Sequence, residues 1–422
     1  GADVRKILDF ERDFLGAHVI TLDQNYRSTE TILNAANSVI RNNACRREKN
    51  LWSTLGKGRA IDWLVTGDEE AEAKEAVAWL RHIQSKSGAR YRDFALLYRS
   101  NVQSRALEIE FRQAGIPYGV YGGQDFFERT EVRDTISYLK LIANPRDEAA
   151  FLRVVNMPRR GIGDATLHKA HDLCRTEKLT FGNALNELIK RDLAGQAEKG
   201  IREFLSLLQR FRTRFREKDG SLEAIAADLV RAMDYHGELR RVCKNEEQVM
   251  ARWQNVELVL RAIASYEKET SNPSLTHFLD ESHLNSDQDR STKKDRDEKS
   301  VKLMTIHSAK GLEFPFVFVM GCEEGLMPHA RSLVENSLEE ERRLFYVALT
   351  RGQRHVSIFE ALSRVRNGRE RLTETSRFLK EIPEELLQRH IRASRDMVET
   401  RVAPAESKPK VKAGRKRRPP RS

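Results

Sequence analysis

Cysteine is scarce and unpatterned in this 422-residue sequence. Cys45, Cys174, Cys243 and Cys322 lie far apart; no two form a C-x-x-C pair, and none has a histidine at zinc-site spacing. That excludes a disulfide-stapled scaffold and leaves four reduced, mostly buried thiols as the expectation. Long apolar runs are missing too. None approaches the roughly 20 residues of a membrane span, and residues 1–12 are charged where a signal peptide would be apolar. A cytoplasmic protein with no membrane partner is expected. No internal repeat is visible.

What is abundant is charge. Hydrophobic residues make up 39% and charged residues 32%, so a sizeable core beneath a heavily charged surface is expected, in two or three domains. The net charge is +11, of which +7 falls in residues 404–422. The tail AESKPKVKAGRKRRPPRS has almost no apolar side chains to offset its ordering entropy, so it is expected to be disordered. Its lysines and arginines suit non-specific contact with nucleic-acid phosphates.

Residues 19–22, 61–65, 94–98 and 118–121 read as strands. Between them, amphipathic helices are predicted from Ser28 or Thr29 onward, over 69–84 and over 103–114, the last stopped by Gly115 and Pro117. Strands alternating with helices of this length indicate a parallel α/β sheet. From about residue 128 to 284 the strand signal disappears, and helices follow one another, as over 132–143, 149–155, 165–174 and 248–267. Residues 285–300 have no apolar side chain up to Ser300 and read as an exposed loop. The α/β pattern then returns, with strands at 301–305, 316–320 and 355–359 and a helix over 338–349. One α/β domain interrupted by an inserted helical domain is the simplest architecture.

Three segments carry chemistry. In TIHSAKGLEFPFVFVMGCEEGLMPH, residues 305–329, a strand ends in polar residues before a second apolar strand. Thr305, His307 and Ser308 can offer donors to phosphate, and Glu313 is an acceptor suited to a sugar hydroxyl. Gly311 permits a tight turn or close approach to a ligand. In EEERRLFYVALTRGQ, residues 339–353, Leu344, Val347 and Ala348 share a helical face. Arg351 follows the last helical turn, where a guanidinium can project at a phosphate held by a neighbouring domain, as an arginine finger does. Arg342 and Arg343 are expected to include at least one surface ion pair with the preceding glutamates. In QNYRSTETILNAAN, residues 24–37, Tyr26 can stack on a base and Arg27 can reach a phosphate.

These strings, in this order, resemble the UvrD/Rep helicases of superfamily 1. QNYRS is similar to that family's motif IV, TIHSAKGLEFP to motif V and EEERRLFYVALTR to motif VI. LYRSNVQSR, residues 97–105, resembles the intermediate motif that touches single-stranded DNA. GQDFFERTEVRD, residues 123–134, resembles the entry into an inserted helical domain, and PRRGIGDATL, residues 158–167, a Gly-Ile-Gly segment. The resemblance runs from Gly1 to about Pro383 and is nearest to Rep. It implies a RecA-like parallel-sheet domain of the P-loop NTPase superfamily, split by a mainly α-helical insertion. The expected divisions are 1–122 and 300–390 for the second motor domain, 123–299 for the insertion and 391–422 for the basic tail. The resemblance also implies ATP-dependent 3′–5′ movement on DNA, with replication and repair as the processes served. Tyr26 would stack on adenine, Glu313 would bind ribose, and Gly311 would sit close to the nucleotide. Arg27 and Arg351 would contact the γ-phosphate. Arg99, Asn101, Thr305, His307 and Ser308 would lie on the single-strand track. Gly161 and Gly163 would let a helix N-terminus approach a duplex phosphate at a single/double-strand junction.

One absence stands out against that resemblance. No G-x-x-x-x-G-K-[ST] is present to hold phosphates and Mg²⁺. Gly56-Lys57-Gly58 lacks the spacing, and Ala309-Lys310-Gly311 belongs to the motif V string. No apolar strand ends in an Asp-Glu pair, because residues 339–341 belong to a helix. Gly1-Ala2 resembles the end of motif III, so the P-loop half, with the Mg²⁺ ligands of the ATP site, is expected outside this chain, in cis or in trans. The chain alone is then expected to be inactive as an ATPase. A stand-alone DNA-binding or regulatory module is the alternative; the presence of Tyr26, Arg27, Glu313 and Arg351 argues against it. No acidic cluster after residue 353 supports a fused nuclease.

Overall fold

The structure, a computed structural model, describes residues 14, 18, 20–44, 50–191, 193–281, 299–335, 337–366 and 369–393. In chain order, the first α/β part comprises α1 (Glu30–Ile40), β1 (Ile61–Thr66), α2 (Glu69–Ser87), β2 (Phe94–Tyr98), α3 (Ser104–Gln113) and β3 (Tyr118–Tyr121). Nine helices follow among the described residues: α4 (Thr130–Ala143), α5 (Glu148–Val154), α6 (Asp164–Glu177), α7 (Phe181–Lys190), α8 (Gln196–Glu217), α9 (Leu222–Ala232), α10 (Tyr235–Val242), α11 (Glu246–Glu269) and α12 (Leu275–Glu281). The chain then returns through β4 (Val301–Thr305), β5 (Phe314–Val319), α13 (Ala330–Val334), α14 (Leu338–Leu349) and β6 (Gly352–Ala361). It ends with β7 (Ser363–Arg366), β8 (Arg369–Leu372), α15 (Arg377–Lys380) and β9 (Leu387–Ile391).

Seven strands form one sheet in the order β3-β4-β2-β5-β6-β1-β9, every pair parallel. β7 and β8 form a separate antiparallel hairpin. The sheet is covered on both faces, which is why its strands read as continuous apolar runs. Within each strand, alternate side chains serve opposite layers. Phe94, Leu96 and Tyr98 pack with Phe316, Phe318, Leu80 of α2 and Phe111 of α3. Ala95 and Leu97 pack with Val317, Val319, Ile32 and Val39 of α1 and Phe345 of α14.

Local signals account for the elements. α2 is capped by Asp68, whose carboxylate accepts from the N–H groups of Glu70 and Ala71 at 3.0 and 2.8 Å, and it ends at Gly88 with φ +67°. Glu69, Glu70 and Glu72 lie in its first turn, where the helix dipole favours negative charge. β3 and β4 pair directly, Tyr118 opposite Val301, although α4–α12 intervene in sequence. Those nine helices bury a core of their own, including Tyr138, Phe151, Phe204 and Phe211.

Several sequence expectations need correction. Residues 20–22 are not a strand; Ile20 and Leu22 are exposed, and Val19 lies outside the described residues. Thr29 occupies the N-cap of α1, but its side chain makes no capping bond, and Ser28 Oγ donates instead to Gly352 O at 2.6 Å. On α14, Leu344, Val347 and Ala348 do pack against one core, the first two half-buried, and Glu341, Arg342, Phe345 and Leu349 are buried with Ala348. Of the thiols, Cys322 is buried and Cys174 and Cys243 are only half-buried. Cys45, residues 285–298 of the expected loop and the tail from residue 394 lie outside the described residues. No helix among the described residues is long and apolar enough to cross a membrane.

Candidate functional site

The segment after β4 connects two opposite ends of the sheet. Thr305 closes β4 at the carboxyl end, and Phe314 opens β5 at the amino end. Residues 305–313 therefore carry Thr305, His307 and Ser308 at one end and Glu313 at the other. α14 runs alongside them. Its 12 residues span about 18 Å at 1.5 Å per residue, with Glu341 in its first turn and Arg351 just beyond its last.

At the amino end, three segments meet, residues 25–29, 312–313 and 347–353. The Asn25 carboxamide oxygen accepts from the N–H groups of Arg27 and Ser28, both at 2.8 Å, a turn that aims the Arg27 side chain. Thr29 N–H donates to Gln353 O at 3.2 Å, docking this turn on the start of β6. Arg27 Nε donates to a Glu313 carboxylate oxygen, and Arg27 Nη1 to Thr350 O at 3.3 Å. Gln353 Nε2 donates to the other Glu313 oxygen at 3.0 Å. Arg351 is held by Leu312 O at 2.9 Å and Val347 O at 3.2 Å. Burial, then the nearby Arg27, lowers the Arg351 pKa, whereas the Arg27 hydrogen bond lowers that of Glu313. Two guanidiniums this close, with a single carboxylate between them, form a site with an excess of positive charge.

Gly311 has φ +87° and open space where a Cβ would stand, so its left-handed backbone requires glycine and crowding does not. Tyr26 is 75% exposed, with its hydroxyl on Gln24 at 2.7 Å, so its ring face is available for stacking. Ile20, Leu22, Trp52 and Leu55 are also exposed, and Asn25 and Trp52 are joined through the backbone at 2.8 Å.

At the carboxyl end, Arg99 makes a two-pronged ion pair with Glu341 of α14, at 2.8 to 3.1 Å. Glu341 also accepts from His329 N–H at 3.0 Å and Ser332 Oγ at 3.1 Å. Burial pushes its carboxyl up, but the Arg99 and His329 hydrogen bonds prevail and hold it below the usual range. Thr305 and Ser308 hydroxyls lie 2.9 Å apart, and Asn101 Nδ2 donates to Gly122 O at 3.0 Å. A Cβ on Gly122, φ +78°, would come within 2.2 Å of Ser308 Oγ, so only glycine fits there. His307 and Ser308 are exposed. Partial desolvation of the ring, then Arg99, lowers the His307 pKa.

Gly161 and Gly163 belong to neither cluster. They flank the buried Ile162 at the entry to α6, in the helical part. Gly163 is the N-cap, exposed and without a side-chain cap, so the first N–H groups of α6 remain open. Arg160 shapes this loop: its Nη1 donates to the carbonyls of Val154, Val155 and Pro158, each at 3.1 Å, and its Nη2 to Tyr138 Oη at 2.7 Å.

Sequence reasoning did not anticipate Glu341, Gln353, Asn25 or Arg160. Only Asn25, an Asn placed to accept from the backbone two residues on, carries a local signal. Arg343 pairs with Glu339 at 3.2 Å as expected for one of the two arginines. Arg342 is instead buried against Glu381, at 2.8 Å, and Asn43, at 2.7 Å. Among the described residues, no group of three or more His, Cys, Asp or Glu side chains could hold a metal ion.

A parallel sheet covered on both faces, with loop clusters at its strand ends, is the α/β architecture of RecA-like domains. Residues 20–362 match the model of the UvrD-like helicase C-terminal domain, and the chain belongs to that family. It is 38% identical over 410 residues to the ATP-dependent DNA helicase PcrA of Staphylococcus aureus strain Mu50, covering 96% of this chain and 55% of that protein. The same identity and coverage hold for PcrA of Staphylococcus epidermidis strain ATCC 12228. The chain thus spans about half the length of the curated relatives it matches. A crystal structure of the C-terminal domain of a possible DNA helicase from Lactobacillus covers 86% of this chain and 98% of its own, at 11% identity and a TM-score of 0.33, a value too low to bear on the fold.

Proposed function

We propose that this chain supplies the second motor domain of an ATP-dependent 3′–5′ DNA helicase or translocase. The observation that carries this is the meeting of Arg27, Glu313 and Arg351 at the amino end of β5 and β6, from segments 286 residues apart. Arg27 and Arg351 are the γ-phosphate contacts in this reading. A phosphate arriving from a facing P-loop domain replaces Glu313 on Arg27 and the backbone carbonyls on Arg351, and the two cations stabilise charge on the transferring phosphoryl group. Glu313, released from Arg27, accepts a ribose hydroxyl. Tyr26 stacks on adenine, and Gly311 keeps side chains away from the nucleotide. Mg²⁺ neutralises phosphate charge when bound, and its ligands are assigned to the P-loop half.

At the other end of the sheet, Arg99, Asn101, Thr305, His307 and Ser308 form the single-strand track. Gly161 and Gly163 present the start of α6 to a duplex phosphate at the junction. Residues 1–122 and 300–390 act as one motor domain, 123–299 as its helical insertion and 391–422 as a basic tail. The 38% identity to a DNA helicase over nearly the whole chain supports this reading.

The test is ATP hydrolysis at saturating single-stranded DNA, for the chain alone and mixed with a P-loop-bearing N-terminal half. Activity only in the mixture is expected. Activity of the chain alone overturns the division of labour. Silence in both, with DNA still bound, leaves the chain as a DNA-binding module.

A further inference from the structure

Between α3 and α11 lies a cleft of about 350 Å³, within the size range of small-molecule sites. Its walls come from both parts of the fold: Val102, Ala106 and Leu107 on one side and Leu258 on the other, with Leu326 and Val365 at the hairpin end. Of the 97–105 segment, Ser100, Val102, Gln103 and Arg105 line it, while Arg99 and Asn101, the two residues placed on the single-strand track, do not.

Arg105 of α3 lines the cleft and is 94% removed from solvent, at 6% exposure. Buried arginines are ordinarily paired. This one is not. Its Nε is buried without a hydrogen-bond partner. The acidic groups nearest to it in charge, Glu108 and Glu131, are engaged elsewhere. Glu108 accepts from Ser104 Oγ at 2.6 Å and from Phe126 N–H, and Glu131 from Asn255 Nδ2. Arg364 on the cleft wall is clamped by Glu72 and Glu323, at 2.8 and 2.6 Å, and Glu69 accepts from Val365 N–H at 3.2 Å. Arg261, whose Nε also lacks a hydrogen-bond partner, is half-exposed and lies 3.6 Å from Glu70. Glu257 is the remaining carboxylate on the wall. A buried guanidinium on the wall of a cleft with both apolar and polar lining is arranged for a flat anion that brings its own apolar body.

We propose that this cleft is a binding site for a small amphipathic carboxylate, its carboxylate on the Arg105 guanidinium and its apolar body against Leu107, Leu258 and Val365. A monoanion is favoured over a phosphate dianion because Glu69, Glu72 and Glu257 share the walls and repel a second negative charge. The cleft also adjoins the 99–103 turn, where Arg99 and Ser100 N–H groups both donate to Gln103 Oε1 at 3.1 Å. Gln103 lines the cleft, so an occupant rests against the residue that shapes the Arg99 turn.

The test is calorimetric titration of the 422-residue chain with 1-naphthoate, 1-naphthamide and inorganic phosphate. Naphthoate is expected to bind, and the uncharged amide about 10- to 100-fold more weakly, the loss typical of one charge-assisted contact. Arg105→Gln should abolish that preference. The amide comparison uses the unaltered protein, so it stands even if the variant does not fold. Equal binding of acid and amide, undiminished naphthoate binding to Arg105→Gln, or no naphthoate binding at all would overturn the proposal. Phosphate binding as tightly as naphthoate would overturn the amphipathic class.

Discussion

Two arginine–glutamate pairs sit at opposite ends of the same sheet, and they are built differently. Arg99–Glu341 is two-pronged, its carboxylate only 4% exposed and further held by His329 N–H and Ser332 Oγ. Arg27–Glu313 is single-pronged, its side chains 29% and 45% exposed, with Gln353 on the carboxylate and Thr350 O on the guanidinium in support. A buried, fully satisfied pair leaves a costly orphan when one partner goes. A half-exposed pair is worth little and exchanges readily for another anion. The first therefore fixes α14 to the turn after β2, and the second is the one placed to release its arginine to a phosphate.

The comparison breaks most sharply at Arg351. In the chain combined with its P-loop half, Arg351→Ala should reduce ATP turnover about 10³- to 10⁵-fold, with the unfolding midpoint of the chain little changed. Normal turnover would remove Arg351 from the reaction. Next in size is Arg99→Met, which leaves Glu341 buried without its cation. It should destabilise the chain by about 3 kcal/mol, read from urea unfolding, and a loss no larger than that of a surface substitution would show that the pair does not anchor α14.

Glu110 offers a contrast from the seam between α3 and α11. Burial raises its carboxyl pKa to about 7, with Lys74 partly opposing the rise. The folded pKa lies above the unfolded one, so the contribution to stability is full below about pH 4.5 and lost as pH rises through 7. Glu110→Gln should therefore raise stability at pH 8 relative to pH 5, by on the order of 2 kcal/mol. A gain independent of pH would refute the assignment. Glu341 has the opposite sign: its lowered pKa confers stability above the unfolded value that is lost as pH falls through the folded one. Glu341→Gln should flatten the acid limb of the stability curve below about pH 4.5. Smallest of all is Glu313→Gln, expected to cost less than about 1 kcal/mol while weakening ATP binding by the combined enzyme.

Most strands and helices were legible in the sequence because burial on both faces leaves continuous apolar runs such as FALLY and FPFVFV, and amphipathic helices repeat with period 3.6. β9 was not. Its residues LQRHI alternate little, and it is a sheet edge that gains its place from β1, where His390 and His355 both bond the buried Asp62, at 2.8 and 2.6 Å. Residues 20–22 misled for the converse reason: an apolar run alone does not make a strand when no neighbour offers a ladder. The three motif strings were visible as strings, and the turn at Gly311 followed from its residue type. Which arginine holds which carboxylate did not: one surface pair was expected from Arg342 and Arg343, and only the fold decides that Arg343 makes it while Arg342 lies buried on Glu381.

By itself, then, the sequence determined the α/β class, the helical stretch between β3 and β4, the family and the candidate residues, because these rest on local periodicity and short strings. Tertiary structure alone decided the strand order, the partners of Arg27 and Arg99 across 286 and 242 residues, and the unpaired state of Arg105. Those depend on which distant segments share a sheet end or a cleft, and no local preference encodes a contact whose partner is chosen by packing.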